Sequence, residues 1–316
     1  MEAEAGLAPS VVRVGAEQAG ERLDRFLASR LAISRARVRH LLEVGRIVHA
    51  GRPLALGDKA RPTQPGDEFR ILGTLRAKEE RPEPKSELPL VVVAERHGWL
   101  VVDKPAGCGV HPLRPDQQDT VLNAVVARHP EIVGIGEGGL RSGVVHRLDV
   151  DTTGTLVFAL DSETWRRLRG AFADHRVEKR YLALVAGRFE RARSVELTLA
   201  ITRHSPARVE VRERGRRCRM HVAPRAVFAA STLVEVALET GFLHQIRASM
   251  VFLGHPVLGD RDYGGMEGAA AAVTAASGAT RPMLHAWRLA VDEIEASVPP
   301  PADFEAARAR LEVASA

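Results

Sequence analysis

Hydrophobic positions along this chain change their period several times, and each change marks an element. Leu23, Phe26, Leu27 and Leu31 recur at helical spacing, and Val38, Leu41 and Leu42 repeat it after Ser34, a suitable N-cap. Gly45 is placed to end the second helix. Arg46–His49 reads as a short strand, Gly51 as a turn, and Glu68–Leu72 as a returning strand after Pro65-Gly66. Residues 12–73 therefore form a small α/β-type module. Residues 74–88 place Pro82 and Pro84 among alternating charges with few apolar positions, which suits a semi-rigid linker.

Beyond the linker, PLVVVAERHGWLVVDKPAG reads as two apolar strands joined by a His97-Gly98 turn. Helical patterns follow at Thr120–Arg128, Ser162–Asp174 and Leu243–Leu253, and strand patterns at Arg180–Val185, Val195–Ile201 and Leu233–Leu238. Strands and helices alternate in no regular βαβ order. The expectation is an α+β domain over residues 89–300, with a mixed, mainly antiparallel sheet flanked by helices. Residues 301–316 are expected as an acidic carboxyl-terminal tail.

One segment stands apart. HRLDVDTTGTLVF runs from His146 to Phe158 and reads as strand end, polar loop and strand, following the apolar pair Val144–Val145. An arginine and an aspartate, Arg147 and Asp149, sit two residues apart where the loop begins. That presents a carboxylate instead of burying it. The same pattern also suits an aspartate that merely bonds the amides of its own turn.

Charge narrows the choice of partner. The net charge of +5 is modest, but Gly20–Arg61 carries ten Lys/Arg against four Asp/Glu, and Asp161–Met220 sixteen against eight. Two separated basic regions point to a polyanion. On the second helix Arg35, Arg39 and Leu42 share a face flanked by Arg37 and Arg46, so cations are expected to line a surface. The amino terminus lacks the basic start and apolar stretch of a secretory signal. The most apolar region, Leu88–Val102, is interrupted by Glu95, Arg96 and His97, so no membrane span is expected. Two cysteines, Cys108 and Cys218, cannot frame a disulfide scaffold, and a cytoplasmic location is expected. Each has a histidine three residues on, His111 and His221, but the spacing is minimal and no metal is expected. GIGEGG at Gly134–Gly139 opens no helix with a Lys-Ser/Thr pair and reads as an ordinary loop.

Four words in order carry a family resemblance: LVVDKPAGCGVHP, then HRLDVDTTG, then Lys179-Arg180-Tyr181-Leu182-Ala183, then TGFLHQIRASMVFLGHPVLGDRDYGG. Together they resemble the RluA-type pseudouridine synthases, which isomerise uridine within ribosomal and transfer RNA. Departures are Thr153 where that family has Ser, Cys108-Gly109 where apolar residues are commoner, and Phe242 where Arg is frequent. At the amino terminus, RLDRFLA and SRARVRHLLEVGRIVHAGR resemble the RNA-binding module named after ribosomal small-subunit protein four, with His49-Ala50-Gly51 in place of its usual Val-Asn-Gly.

The resemblance implies that Asp149 is the catalytic aspartate, that Tyr181 lies against the target base and that Arg247 pairs with the aspartate. It also implies that Arg147, with His146 beside it, works on the RNA by displacing the target nucleotide, and that Arg35, Arg37, Arg39 and Arg46 bind RNA. The reaction breaks the bond from nitrogen 1 to the ribose and rejoins the base through carbon 5 without redox change, so no cofactor is expected. Large-subunit ribosomal RNA is the favoured partner, transfer RNA a second candidate, and no DNA is expected. A catalytically silent RNA-binding or ribosome-assembly factor with the same fold is the alternative.

Overall fold

The computed structural model describes residues 10–31, 33, 35–72, 81–204 and 206–315, and of Ser10, Arg35, Ala36 and Arg37 the backbone alone. The chain divides into two units, residues 1–80 and 81–316.

In the first unit, strands β1 (Ser10–Arg13), β2 (Ile47–His49), β3 (Arg52–Pro53) and β4 (Glu68–Ile71) make a sheet in the order β1-β4-β2-β3. Helices α1 (Leu23–Arg30) and α2 (Arg35–Glu43) accompany it. The expected helical stripes are the core: Leu23, Phe26, Leu27, Val38, Leu41 and Leu42 are buried with Ile47, Phe69 and Ile71. Gly45 takes a left-handed conformation just after α2, as a helix-ending glycine does. The proposed N-cap Ser34 lies outside the described residues, as does residues 74–80 of the expected linker.

The second unit is built on a ten-stranded sheet. Its strands are β5 (Val91–Arg96), β6 (Trp99–Lys104), β7 (Thr153–Ala159), β8 (Glu178–Ala186), β9 (Arg193–His204), β10 (Ala207–Val211), β11 (Arg216–Val227), β12 (Ser231–Leu238), β13 (Leu284–Val291) and β14 (Ile294–Ser297). The order is β10-β9-β11-β12-β8-β13-β7-β6-β5, with β14 beside β13. Every pair is antiparallel except β13 with β7, so the sheet is mixed and mainly antiparallel, as expected.

Alternation along the strands divides the core between two faces. Leu156 and Phe158 of β7 point with Tyr181, Ala183 and Val185 of β8 toward α3 (Val121–Arg128) and α5 (Gln245–Phe252). Val157 and Ala159 face α4 (Ser162–Ala173), through its Leu168 and Ala171. Leu184 and Ala186 of β8 meet residues of α6 (Gly268–Ser277) and α7 (Ala302–Val313). A strand covered on both faces becomes a continuous apolar run, which is why Thr153–Ala159 is buried throughout.

Two expected boundaries are corrected. Residues 301–316 are not a tail: Phe304, Ala307 and Leu311 recur at helical spacing and pack into the core beneath β8. Residues 81–88 are also held, since Asn123 Nδ2 donates to the Glu83 carbonyl and the Lys85 amide donates to the Asn123 carbonyl. Among the described residues no helix is long and apolar enough to cross a membrane.

Candidate active site

Asp149 lies on the loop that leads into β7, and buried polar groups fix that loop by its backbone. Lys104, at the end of β6 and fully buried, donates to the Val150 and Pro105 carbonyls, each at 2.7 Å. Burial pushes its amine down to about 8, a cost tolerated because two carbonyls accept from it and Asp151 and Asp149 supply negative potential. Arg281 donates to the Asp151 carbonyl at 3.0 Å while its Nε and Nη2 grip Asp303, on α7, at 2.7 and 2.8 Å. The Thr152 amide closes the turn on the Asp149 carbonyl.

Thr153 ends the loop. Its hydroxyl lies 2.8 Å from His285 Nδ1, and His285 Nε2 lies 2.9 Å from the Val298 carbonyl. Since a carbonyl only accepts, Nε2 carries the proton and Nδ1 accepts from Thr153. A hydroxyl is what serine and threonine share, so Thr153 can satisfy this contact. The next residue, Gly154, takes φ +113°, and a Cβ there would stand 2.2 Å from the Ala286 carbonyl. Only glycine lets β7 pass this close to β13.

Arg247, in the first turn of α5, meets Asp149 from the other side. Its Nη1 lies 3.4 Å from Asp149 Oδ2, its Nε and Nη2 contact Asp260 at 2.6 and 2.8 Å, and Nη2 also reaches Asp262 at 3.0 Å. Asp260 is fully buried and accepts from the amides of Asp262 and Tyr263. The guanidinium also lies 4.8 Å from the centre of the Tyr263 ring. Burial opposes its charge, but the hydrogen bonds and charge of Asp260, with Asp149 and Asp262, outweigh burial and raise its pKa. A permanent cation therefore stands against Asp149, whose side chain remains 24% exposed.

Tyr181 is buried on β8, opposite Val236 of β12. Burial pushes its phenol up and the Asp149 charge pushes it further, so the hydroxyl stays protonated at neutral pH. The three residues Asp149, Tyr181 and Arg247, spread over 98 positions of sequence, thus share one locus. Among the described residues no three His, Cys, Asp or Glu side chains gather as metal ligands.

The expected RNA-facing residues separate. Arg147 is exposed and makes no hydrogen bond or ion pair among the described residues. His146 is turned inward: its Nε2 accepts from the Val157 amide at 3.1 Å, and its ring stacks on Phe172 at 4.7 Å. Burial, with Lys179 and Arg169 nearby, pushes it down to about 3, so it is neutral and already engaged. In the first unit Arg46 is exposed, whereas Arg39 reaches within 4.0 Å of the buried Asp24 carboxylate. Leu42, expected on the same face as Arg39, is 1% exposed, so that face turns partly into the core while the Arg39 side chain stays 37% exposed. The side chains of Arg35 and Arg37 lie outside the described residues.

Five supports went unnoticed in the sequence. Lys104, His244 and Asp260 lie inside DKPAG, LHQIR and GDRDYGG, so those words held the signal. Arg281 and His285 lie in none, and only the approach of distant strands reveals them.

Known proteins resemble this chain in sequence and fold. The family model described as RNA pseudouridylate synthase matches residues 98–251, which contain Asp149, Tyr181 and Arg247. An uncharacterized RNA pseudouridine synthase of Chloroflexus aurantiacus is 36% identical over 265 residues, covering 80% of this chain and 78% of its own. Ribosomal large subunit pseudouridine synthase D of Zymomonas mobilis is 34% identical over 278 residues, 86% of each chain. The solved structure of human RNA pseudouridylate synthase domain containing 4 covers 70% of this chain and 93% of its own with a TM-score of 0.57 at 22% identity, a likeness of fold. With relatives of that identity matched over most of both lengths, the chain belongs to the RNA pseudouridine synthases.

Proposed function

We propose that this chain isomerises a uridine of large-subunit ribosomal RNA, with Asp149 as the catalytic carboxylate, Tyr181 against the target base and Arg247 as the cation paired with the aspartate. The observation that carries this reading is the pairing of a buried guanidinium with a carboxylate that is still open to a ligand. A guanidinium stays charged and can bond a carboxylate while leaving the second oxygen open, which is the arrangement Arg247 offers Asp149.

The isomerisation breaks the bond between nitrogen 1 and the ribose and forms one from carbon 5. Carbon 5 then loses its proton and nitrogen 1 gains one, so electrons balance without an outside donor or acceptor. The base must first leave the RNA stack, at a cost of about a few kcal/mol. Arg147, exposed two residues from Asp149 and without a hydrogen-bond or ion-pair partner among the described residues, fills the vacated space or grips the backbone. The first unit, with Arg46 exposed and Arg35 and Arg37 on α2, anchors the RNA in the manner of the ribosomal module it resembles. Ribosomal RNA is favoured over transfer RNA because the Zymomonas mobilis relative is named for the ribosomal large subunit. Two free cysteines suit a reducing cytoplasm.

Replacing Asp149 by Asn tests the reading. RNA tritiated at carbon 5 of uracil should no longer release tritium, while its binding stays close to that of the unaltered protein. Unchanged release overturns the assignment. Mapping pseudouridine in ribosomal and transfer RNA from cells with and without the gene then distinguishes the two substrates.

A further inference from the structure

His244 stands at the start of α5 with φ 50° and ψ 24°, the left-handed region that side chains with a Cβ rarely occupy. Its side chain is well placed to hold it there. Nδ1 lies 2.9 Å from the Tyr263 hydroxyl, and the two rings meet edge to face at 5.6 Å. The Tyr263 oxygen already accepts from the Val209 amide at 2.8 Å. Its own hydrogen is then directed to His244 Nδ1. Burial pushes the Tyr263 phenol up and the His244 imidazole down, so both are neutral. A neutral imidazole that accepts at Nδ1 carries its hydrogen on Nε2.

That Nε2 lies 3.9 Å from Asp149 Oδ1. The opposite tautomer would aim a lone pair at a carboxylate, which favours the first assignment further. The two oxygens of Asp149 are thus addressed by different groups, Oδ2 by Arg247 and Oδ1 by His244. A single contact at Oδ2 fixes a point, and the carboxylate can still rotate about it. A second contact fixes a plane.

We propose that His244 is a positioning residue, whose Nε2–H sets the rotation of the Asp149 carboxylate and closes to hydrogen-bond length when a base fills the site. Val209, Tyr263 and His244 form a chain of donors that ties this rotation to β10. The proposal rests on the reading of Asp149 as the catalytic carboxylate.

Two substitutions in the full-length protein separate positioning from mere structure. Asn is the side chain best tolerated in a left-handed residue, and it keeps a short amide near Tyr263, but it cannot reach Asp149. Gln fits the backbone less well and carries its amide nitrogen to where Nε2 stood. His244→Asn should keep Tm and the KM for RNA while kcat falls about ten- to a hundredfold, as expected for a reacting group misplaced by about an ångström. His244→Gln should recover most of that kcat, and Tyr263→Phe, which frees Nδ1, should lose less than His244→Asn. Unchanged kcat in His244→Asn, or a loss that Gln does not recover, overturns the proposal. A fall in Tm or a rise in KM at unchanged kcat assigns His244 to structure alone and overturns it too. Asp149→Asn run in parallel keeps the two readings apart: if it retains turnover, the catalytic assignment itself fails. If it is inactive while both His244 variants turn over normally, only the positioning role fails.

Discussion

Arg247 contacts three carboxylates, and comparing two of them, Asp260 and Asp149, separates the anchored side of the site from the open side. Asp260 is fully buried, meets the guanidinium through two contacts of 2.6 and 2.8 Å and accepts two backbone amides besides. Asp149 is partly exposed and meets the same guanidinium once, at 3.4 Å. Fork geometry and satisfied lone pairs make Asp260 a fixed counter-ion. The looser contact leaves Asp149 free to approach a ligand. One cation can therefore be immobilised by one carboxylate while it faces another.

The sharpest way to break that contrast is Asp260→Asn. Removing one charge of a buried pair costs roughly 3–5 kcal/mol, so the urea midpoint should fall steeply. A variant as stable as the unaltered protein would mean that the two carboxylates are equivalent. Arg247→Lys comes next. An ammonium is a point charge that cannot present a fork to Asp260 and a third nitrogen to Asp149, so single-turnover rates should fall about ten- to a hundredfold. Normal turnover in this variant would show that charge alone suffices.

A third prediction concerns the near end of the same loop. His146 is neutral in the fold and pushed down to about 3, below the usual histidine value, so the unfolded chain takes up a proton first as pH falls. The stability it contributes is complete above about pH 6.5 and is lost progressively below it. His146→Gln offers an acceptor to the Val157 amide and does not titrate. Between pH 7 and pH 5 it should lose less stability to acid than the unaltered protein, as measured by urea titration. Equal losses would detach His146 from the acid response. The smallest effect is expected at Arg147→Ala, where the missing charge is exposed and has no hydrogen-bond or ion-pair partner among the described residues. Affinity should weaken a few-fold, and the slope of binding against salt should fall by about one unit. An unaltered slope would place Arg147 off the phosphate backbone.

Much of this was legible in the chain, for identifiable reasons. Strand β7 and helix α4 follow from periodicity, and Asp149 from its place at a polar break. The helix expected from Leu243 begins at Gln245 because His244 is left-handed, a backbone state that hydrophobic spacing does not encode. His146 was expected on the RNA beside Arg147, but adjacency along a loop does not say which side chain turns inward. Arg39 was expected on a surface, yet helical spacing alone cannot show that Asp24 approaches it. Arg281 and His285 act through the Asp151 carbonyl and the Thr153 hydroxyl, contacts made across about 130 residues. Recognition of backbone by a distant side chain leaves no period to read.

Strand β13 has a consequence for when the enzyme becomes active. It is the last long strand among the described residues, yet it lies between β7 and β8, and its His285 and Ala286 meet Thr153 and Gly154 at the end of the Asp149 loop. A nascent chain that has emerged only as far as Arg281 already contains Asp149, Tyr181 and Arg247. It has no strand to join the β5-β6-β7 part of the sheet to the part that carries Tyr181. Long-range pairing of this kind is slow to form and waits for its last partner. Competence should therefore wait for β13 and arrive in one step, with shorter chains holding Asp149, Tyr181 and Arg247 but no assembled site.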